Sequence, residues 1–388
     1  MLQAQWRGVG PTPCIGPPDI GNYKCPATPG LTALRAGKLF DSKSGKLLTR
    51  QVVLIMGDRI TEVGPESQVK IPNGAHVVDL SQYTVLPGLI DAHTHMFNTR
   101  RPTGSAENSM LMAISNAQND LLAGFTTARD MSSHSNGYGD ILVRNAINEG
   151  RVLGPRYQVS TLGIVWGATP ADPKSPDNPL ASTVVRSVED ARAAVRTQIE
   201  HGADWIKLFP TGAYSFTPSG EAQYVLTYPM PVLQALIDET HRLGHKAGCH
   251  VYGGEGMQNA ITAGCDTIEH AFGLTQAQAN MIVQKGLYYD PTFARYTIPL
   301  MDDNDARSTG GKFRIIPIFE KAVQTAAATP GMKMLVGSGV DGDTFPHGTQ
   351  AIEFELLVKR GRMTPVRVLQ AATLNNSEVL GWQKDIGS

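Results

Sequence analysis

From Val85 onward, short β-branched runs alternate with amphipathic stretches of helix length, and this rhythm constrains the fold more than any other feature of the chain. Eight runs read as strands: VLPGLIDAH (85–93), FTTARDM (125–131), RYQVSTLGIV (156–165), ADWIKLF (203–209), HKAGCHVY (245–252), DTIEHA (266–271), LYYDPTF (287–293) and MKMLVGSGVD (332–341). Between them lie helical segments such as SVEDARAAVRTQIEHG, PMPVLQALIDETHRLG and EGMQNAITAG, the first with a Ser N-cap and a Gly stop. Repeated strand–helix units imply a parallel sheet, and eight of them at this length imply an α/β fold of the closed (β/α)8 TIM-barrel type. The runner-up is an open doubly wound sheet. It usually shows a glycine-rich phosphate loop after its first strand, and none is present.

Four segments follow from this reading. Residues 1–30 form an irregular Pro/Gly-rich arm, 31–84 a small β unit, 85–381 the barrel and 382–388 a short tail. The β unit reads as LTALRAGKLFD, GKLLTRQVVLIMGDRITEVG and AHVVDLSQYTV, with a hairpin signal at Gly57-Asp58. With 41% hydrophobic residues in 388, the chain can bury a core of this size. Only 18% of residues are charged, the formal net charge is -1, and no basic run exceeds two residues. Nucleic acid and anionic membrane surfaces are therefore not expected partners. No stretch approaches the roughly 18 apolar residues of a spanning helix.

The cysteines divide into two pairs. Cys14 and Cys25 lie in the arm, where a disulfide would staple a segment that has no periodicity of its own. That bond implies an oxidising compartment, periplasmic or extracellular, and a signal peptide absent from this chain; a cytoplasmic location with free thiols is the alternative. Cys249 and Cys265 sit inside apolar runs and read as small core hydrophobes.

Polar residues gather where a barrel keeps its chemistry, at the C-terminal strand ends. His93 and His95, at i and i+2, point to one face of the first strand and can converge on one point. Neutral imidazole is a common metal ligand, although a pair of hydrogen-bonded buried histidines would look the same in isolation. Lys207, His250, His270 and Asp341 occupy the ends of four further strands. Taken singly, each is as well explained by a satisfied core histidine, a snorkelling lysine or a helix cap. Their joint occurrence at equivalent positions is not. Arg129 and Asp130, at the end of strand two, read as a structural ion pair.

VLPGLIDAHTHM, the lysine in ADWIKLF, the histidines in GCHVYG and TIEHAFG and the aspartate in GSGVDG together resemble the amidohydrolase superfamily. The resemblance covers about residues 31–388. It falls in the branch of imidazolonepropionase-like proteins, Xaa-Pro dipeptidases and ochratoxin-hydrolysing amidohydrolases. It implies a TIM barrel with two divalent metal ions, Zn2+ by expectation. His93, His95 and Asp341 would hold the more buried ion, and His250 and His270 the second. Lys207, carrying a CO2-derived carbamate, would bridge them. A lysine desolvated in a barrel mouth can present a neutral amine for that modification. The implied reaction is hydrolysis of an amide or peptide bond by a metal-bridging hydroxide, with Asp341 as general base and then acid.

Tyr252, two residues after His250, would hold the substrate as in peptidase-like relatives. His347 in DGDTFPHG would approach a substrate carboxylate or cap the following helix, and Arg295 would meet an anionic group. The chain departs from the family in two places. After strand three, TLGIVWGATP lacks the histidine that relatives often carry in a Gly-Gly-His-Gly-like run, so Trp166 is expected to shape an apolar pocket, under a Pro-rich lid at 168–180. The chain also stops at LGWQKDIGS, where relatives continue with strands that complete a small β-sandwich domain. Those C-terminal strands are expected to be missing here, leaving open edges. The expected substrate is a small-molecule amide: a dipeptide or an N-acyl amino acid, ochratoxin A-like compounds included. The protein is expected to be a homo-oligomer. Hydrolysis of cyclic amides or lactones on the same fold, and a catalytically silent metal-binding barrel, are the alternatives. Lys207 argues against the first, whose imidazolonepropionase-type members usually lack the bridging lysine.

Overall fold

The computed structural model describes residues 30–97, 105–134, 136–167, 182–301, 315–342 and 345–388, with backbone alone at 299–301. The Cys14–Cys25 pair and the Pro-rich segment 168–180 lie outside the described residues.

Four strands open the described chain: β1 (Leu31–Asp41), β2 (Lys46–Met56), β3 (Arg59–Pro65) and β4 (His76–Val85). They form one sheet in the order β3-β2-β1-β4, antiparallel except for the parallel β1–β4 pair. Gly57, at φ 60°, makes the β2–β3 turn that Gly57-Asp58 signals. Ala33, Val52, Leu54 and Val69 form its small core, while Leu47, Met56, Ile60 and Tyr83 remain more than half exposed. The end of the chain ties this sheet to the rest: Ser42 Oγ donates to Gly387 O at 2.8 Å, and Arg59 pairs with Asp385 at 2.9 Å.

The remainder is α/β. Parallel strands β5 (Leu89–Thr94), β6 (Phe125–Asp130) and β7 (Arg156–Val159) pair in that order. A second sheet contains β8 (Gly163–Trp166), β9 (Ser182–Val185), β10 (Trp205–Leu208), β13 (Lys246–Val251), β14 (Thr267–His270), β15 (Tyr288–Asp290) and β16 (Lys333–Met334), in the order β16-β15-β14-β13-β10-β8-β9. Backbone bonds from Ala92 N to Val336 O, His95 N to Val340 O and Gly339 N to His93 O join β5 to the segment after β16. Another, from Asp204 N to Val159 O, joins β7 to the start of β10. Between strands run α1 (Ala106–Leu122), α2 (Gly139–Asn148), α3 (Val188–His201), α4 (Met230–Arg242), α5 (Gly254–Ala263), α6 (Gln276–Lys285) and α7 (Phe293–Met301). Helix α3 starts and stops where its sequence predicts. The Ser187 side chain accepts from Asp190 N, and Gly202 ends the helix at φ 110°. No helix among the described residues is long and apolar enough to cross a membrane.

Four local expectations are corrected. The third strand is two strands, because Thr161 at φ 57° breaks the run between β7 and β8. The eighth is short: β16 spans Lys333–Met334, and pairing resumes at a Thr94–Val340 bridge. A hairpin of β11 (Thr211–Phe216) and β12 (Ala222–Leu226), absent from the sequence reading, follows β10. Cys249 and Cys265 are not separate thiols but a disulfide, with Cα atoms 6.2 Å apart. Parallel pairing of β13 with β14 brings Cys249 opposite Ile268, within reach of the turn that carries Cys265. Both sulfurs stay among buried apolar side chains, on the face of β13 turned away from His250.

Candidate active site

The ends of β5, β10, β13 and β14 converge. His93 and His95 bring their Nε2 atoms to 3.3 Å from each other. The His93 ring lies 5.0 Å from that of His270, and the His250 ring 4.6 Å from that of His270. His95, Lys207, His250 and His270 line one cavity of about 200 Å³, with Tyr252 and Arg295 also in its wall. Asp341 reaches this group through Arg295, whose Nη2 lies 2.9 Å from Asp341 Oδ2.

Burial dominates the electrostatics. It lowers the His93 imidazole to about 4, the cationic Lys207 adding to the effect. It also holds His95, His250 and His270 well below the usual histidine value. All four are therefore neutral at pH 7, the form that offers a lone pair. Burial likewise brings the Lys207 amine down to about 8, with Glu269 opposing and Arg129 assisting.

A carboxylate network behind the histidines fixes their orientation, and the sequence reading missed it. Glu269 Oε2 accepts from His93 Nδ1 at 2.8 Å, which leaves Nε2 on the side of His95 Nε2. Its other oxygen accepts from Arg129 Nη2 at 2.9 Å and from the Thr267 hydroxyl. Burial works against the Glu269 charge, but Arg129, then His93 and Lys207, outweigh it and hold the carboxyl well below its usual range. Ligand-type atoms of His93, Glu269 and Asp290 lie within 4.8 Å of one another. On distance alone they could hold a cation, yet the Arg129 guanidinium already stands 2.9 Å and 3.6 Å from the two carboxylates. We read this trio as support for His93. Arg129 is thus an ion-pair residue, as expected, but its partners are Glu269 and Asp290. Asp130 instead accepts from the Tyr157 hydroxyl, Ser132 N and Met96 N.

Two backbone features make room for the group. A Cβ on Gly337 would stand 2.3 Å from Asp290 Oδ2 and 2.6 Å from His93 Cβ, so only glycine fits beside the first ligand strand. His270 has φ 69°. Glu269 and His270 are consecutive, yet both reach the His93 side, which strict strand alternation forbids. The left-handed turn at His270 allows it, and Thr292 Oγ1, 2.5 Å from His270 Nδ1, holds the ring there. Such strain is typical of functional sites.

Two expected substrate contacts are corrected. His347 is buried behind His95. Its Nδ1 lies 2.9 Å from both Asp120 oxygens and its Nε2 3.0 Å from His95 O. With both nitrogens engaged it positions the β5 end and is not placed to take a substrate carboxylate. Trp166, at the end of β8, packs against the main apolar core and is not in the cavity wall. Arg295 and Tyr252 are in it. Tyr252 stacks on Phe272 at 4.8 Å and meets His250 edge-on at 4.5 Å. His134, which the sequence reading passed over, lines the cavity as well. A larger hollow of about 490 Å³ lies at the opposite strand ends, beside Arg144, Asp204 and His245. Its Arg144 and Asp204 neutralise each other at 2.7 Å, so size does not locate the chemistry here.

The model of the amidohydrolase family matches residues 84–388. Ochratoxinase of Aspergillus niger is 25% identical over 429 residues, covering 97% of this chain and 83% of the relative. A crystal structure of an Xaa-Pro dipeptidase with methionine bound in its active site superposes with a TM-score of 0.80 at 26% identity, covering 92% of this chain and 90% of that one. The A. niger ochratoxinase structure superposes with a TM-score of 0.77 at 24% identity, covering 91% and 84%. The fold shared with these structures is TIM-barrel-like α/β.

Proposed function

The chain belongs to the amidohydrolase family, and on that premise we propose that it is a two-metal enzyme cleaving the amide bond of a dipeptide or N-acyl amino acid, ochratoxin A-like compounds included. That it is a hydrolase of amide or peptide bonds follows from the family and its relatives. The finer reading is carried by one observation: His95, Lys207, His250 and His270 share a single buried cavity, with His93 3.3 Å from His95. The reading takes the two parallel sheets as one closed (β/α)8 barrel, supported by the backbone bonds between β5 and the segment after β16.

The donors fit divalent ions. Four neutral imidazoles gather here, and the buried His95 Nδ1 has no hydrogen-bond partner among the described residues, Asp130 Oδ1 standing off at 4.0 Å. His93, His95 and Asp341 would hold one ion, His250 and His270 the other, with Zn2+ the metal that suits imidazole and carboxylate ligands. Lys207, carboxylated by CO2, would bridge them. Burial suits it to that role, since an amine lowered to about 8 is partly neutral near pH 7.5. When bound, such ions supply Lewis acidity toward a water and a carbonyl. Asp341 takes the proton from the attacking water and returns it to the leaving amine. Tyr252 and Arg295, both in the cavity wall, would meet the carboxylate of the amino acid that departs, Arg295 once a bound ion takes Asp341, with which it pairs at 2.9 Å here. The related dipeptidase binds methionine, a free amino acid, in its active site, which favours a product of this class. The Cys249–Cys265 disulfide favours an oxidising compartment, periplasmic or extracellular.

The test is release of free amino acid by zinc-loaded protein from Xaa-Pro dipeptides, other dipeptides and N-aroyl amino acids such as ochratoxin A. Turnover that disappears in Lys207→Ala is expected. A zinc-loaded protein that turns over none of them overturns the substrate class, and one that binds no zinc overturns the two-metal reading.

A further inference from the structure

We infer that His134, after β6, is a catalytic residue of this site: its Nε2–H donates to the oxygen of the scissile carbonyl as negative charge builds there. The inference rests on the amide-hydrolase reading above and adds to it a residue outside the ligand set.

Three observations converge on His134. It lines the same cavity as Lys207, His250, Tyr252, His270 and Arg295. Its ring stands edge-to-face with His95 at 4.2 Å, which brings it against the ligand pair of β5. Its Nε2 is buried with no hydrogen-bond partner among the described residues. A buried ring nitrogen left without a partner, whether it carries the proton or the lone pair, is costly, on the order of 1–3 kcal/mol, and persists where a ligand supplies the partner. The backbone adds to that cost, because His134 is not a glycine and yet has φ 43°. The strained turn is held in place. Asn136 Nδ2 donates to His134 O at 2.8 Å and to Ser133 O at 2.9 Å, Ser133 Oγ donates to Gly137 O at 2.6 Å, and Ser133 N donates to Thr161 O at 2.9 Å. Among its described residues, the loop therefore ties down the backbone on either side of His134 and presents the imidazole to the cavity.

The chemistry needs such a donor. In amide hydrolysis the water oxygen bonds to the carbonyl carbon, the C–N bond breaks, and the water proton passes through Asp341 to the leaving nitrogen. The carbonyl oxygen gains charge on the way and returns it when the amine departs. His134 transfers no proton; it lends a fixed dipole where charge develops, in a site shielded from water.

The experiment compares wild type, His134→Phe and His134→Gln as zinc-loaded enzymes. Phenylalanine keeps a ring against His95 and removes the donor; glutamine restores an N–H. Zinc content, kcat, KM and affinity for an N-phosphonyl amino acid, a tetrahedral mimic, are measured together. His134→Phe is expected to retain wild-type zinc and a KM within about threefold, and to lose about 100- to 1000-fold in kcat, the range for removal of one such donor. Its affinity for the phosphonyl compound falls in parallel, and His134→Gln recovers at least about tenfold of both. An unchanged kcat in His134→Phe overturns the inference, as does loss of zinc in step with activity. If the wild type hydrolyses nothing in the panel, the substrate reading fails, and phosphonyl affinity alone decides about His134: equal binding by wild type and His134→Phe overturns its role.

Discussion

Replacing Lys207 with methionine should make the metal-free protein more stable at neutral pH while abolishing its ability to assemble the metal site. The lysine side chain is 2% exposed, and burial lowers its amine from 10.5 to about 8. A lysine lowered in the fold gives an unusual sign. Between about 8 and 10.5 the unfolded chain holds the proton more tightly than the folded one, so stability rises with pH across that window. Below it, the folded protein carries an ammonium in a dry site. At about 1.36 kcal/mol for each tenfold change in proton affinity, the gap costs about 3 kcal/mol at pH 7. Methionine fills a similar volume and buries no charge. The assay is urea unfolding of metal-free wild type and Lys207→Met in CO2-depleted buffer, at intervals from pH 7 to 10.5, followed by circular dichroism. Other lysines and tyrosines titrate in this range, so the quantity to read is the difference between the two proteins. That difference should favour the variant by up to about 3 kcal/mol at pH 7 and shrink toward zero near pH 10.5. A variant less stable than wild type at pH 7, or a difference that ignores pH, would show that the lysine is not held as an unfavourable buried cation. The premise of its carboxylation would go with it.

Three further outcomes follow from the same geometry. Glu269→Gln removes the carboxylate that orients His93 and balances Arg129; zinc affinity should fall about 10- to 100-fold in a chelator competition, and wild-type affinity would rule out its orienting role. Gly337→Ala drives a Cβ to 2.3 Å from Asp290 Oδ2 and 2.6 Å from His93 Cβ; loss of bound zinc is expected even in protein that remains folded by circular dichroism, and full zinc occupancy would contradict the packing. Cys249→Ala with Cys265→Ala opens a crosslink across a sequence separation of 16; urea unfolding should show a loss of up to about 3 kcal/mol, and no loss would mean that the bond adds little beyond the surrounding core.

Much of the architecture was legible in the chain because it rests on local chemistry. Strand–helix alternation depends on periodicity and on caps such as Ser187 and Gly202, which act within a few residues. The i, i+2 spacing of His93 and His95 carries its geometry with it, since a strand puts both side chains on one face. The positions of Lys207, His250 and His270 followed from the rule that barrels keep function at one end of their strands. What tertiary structure decided involves partners far apart in sequence or backbone that leaves its regular path. Alternation would send His270 away from its neighbour Glu269, and only the left-handed turn at His270 brings both to His93. Arg129 and Asp130 look like partners in sequence, but successive strand residues face opposite ways, and Arg129 finds Glu269 140 positions further on. His347 looked available until Asp120 and the His95 carbonyl took both its nitrogens. Cys249 and Cys265 read as two core residues because pairing depends on strand register, which one-letter code does not carry. His134 was hidden for a different reason: a histidine in a polar loop has no periodicity to mark it, and only the packing of that loop against His95 brings it to the cavity.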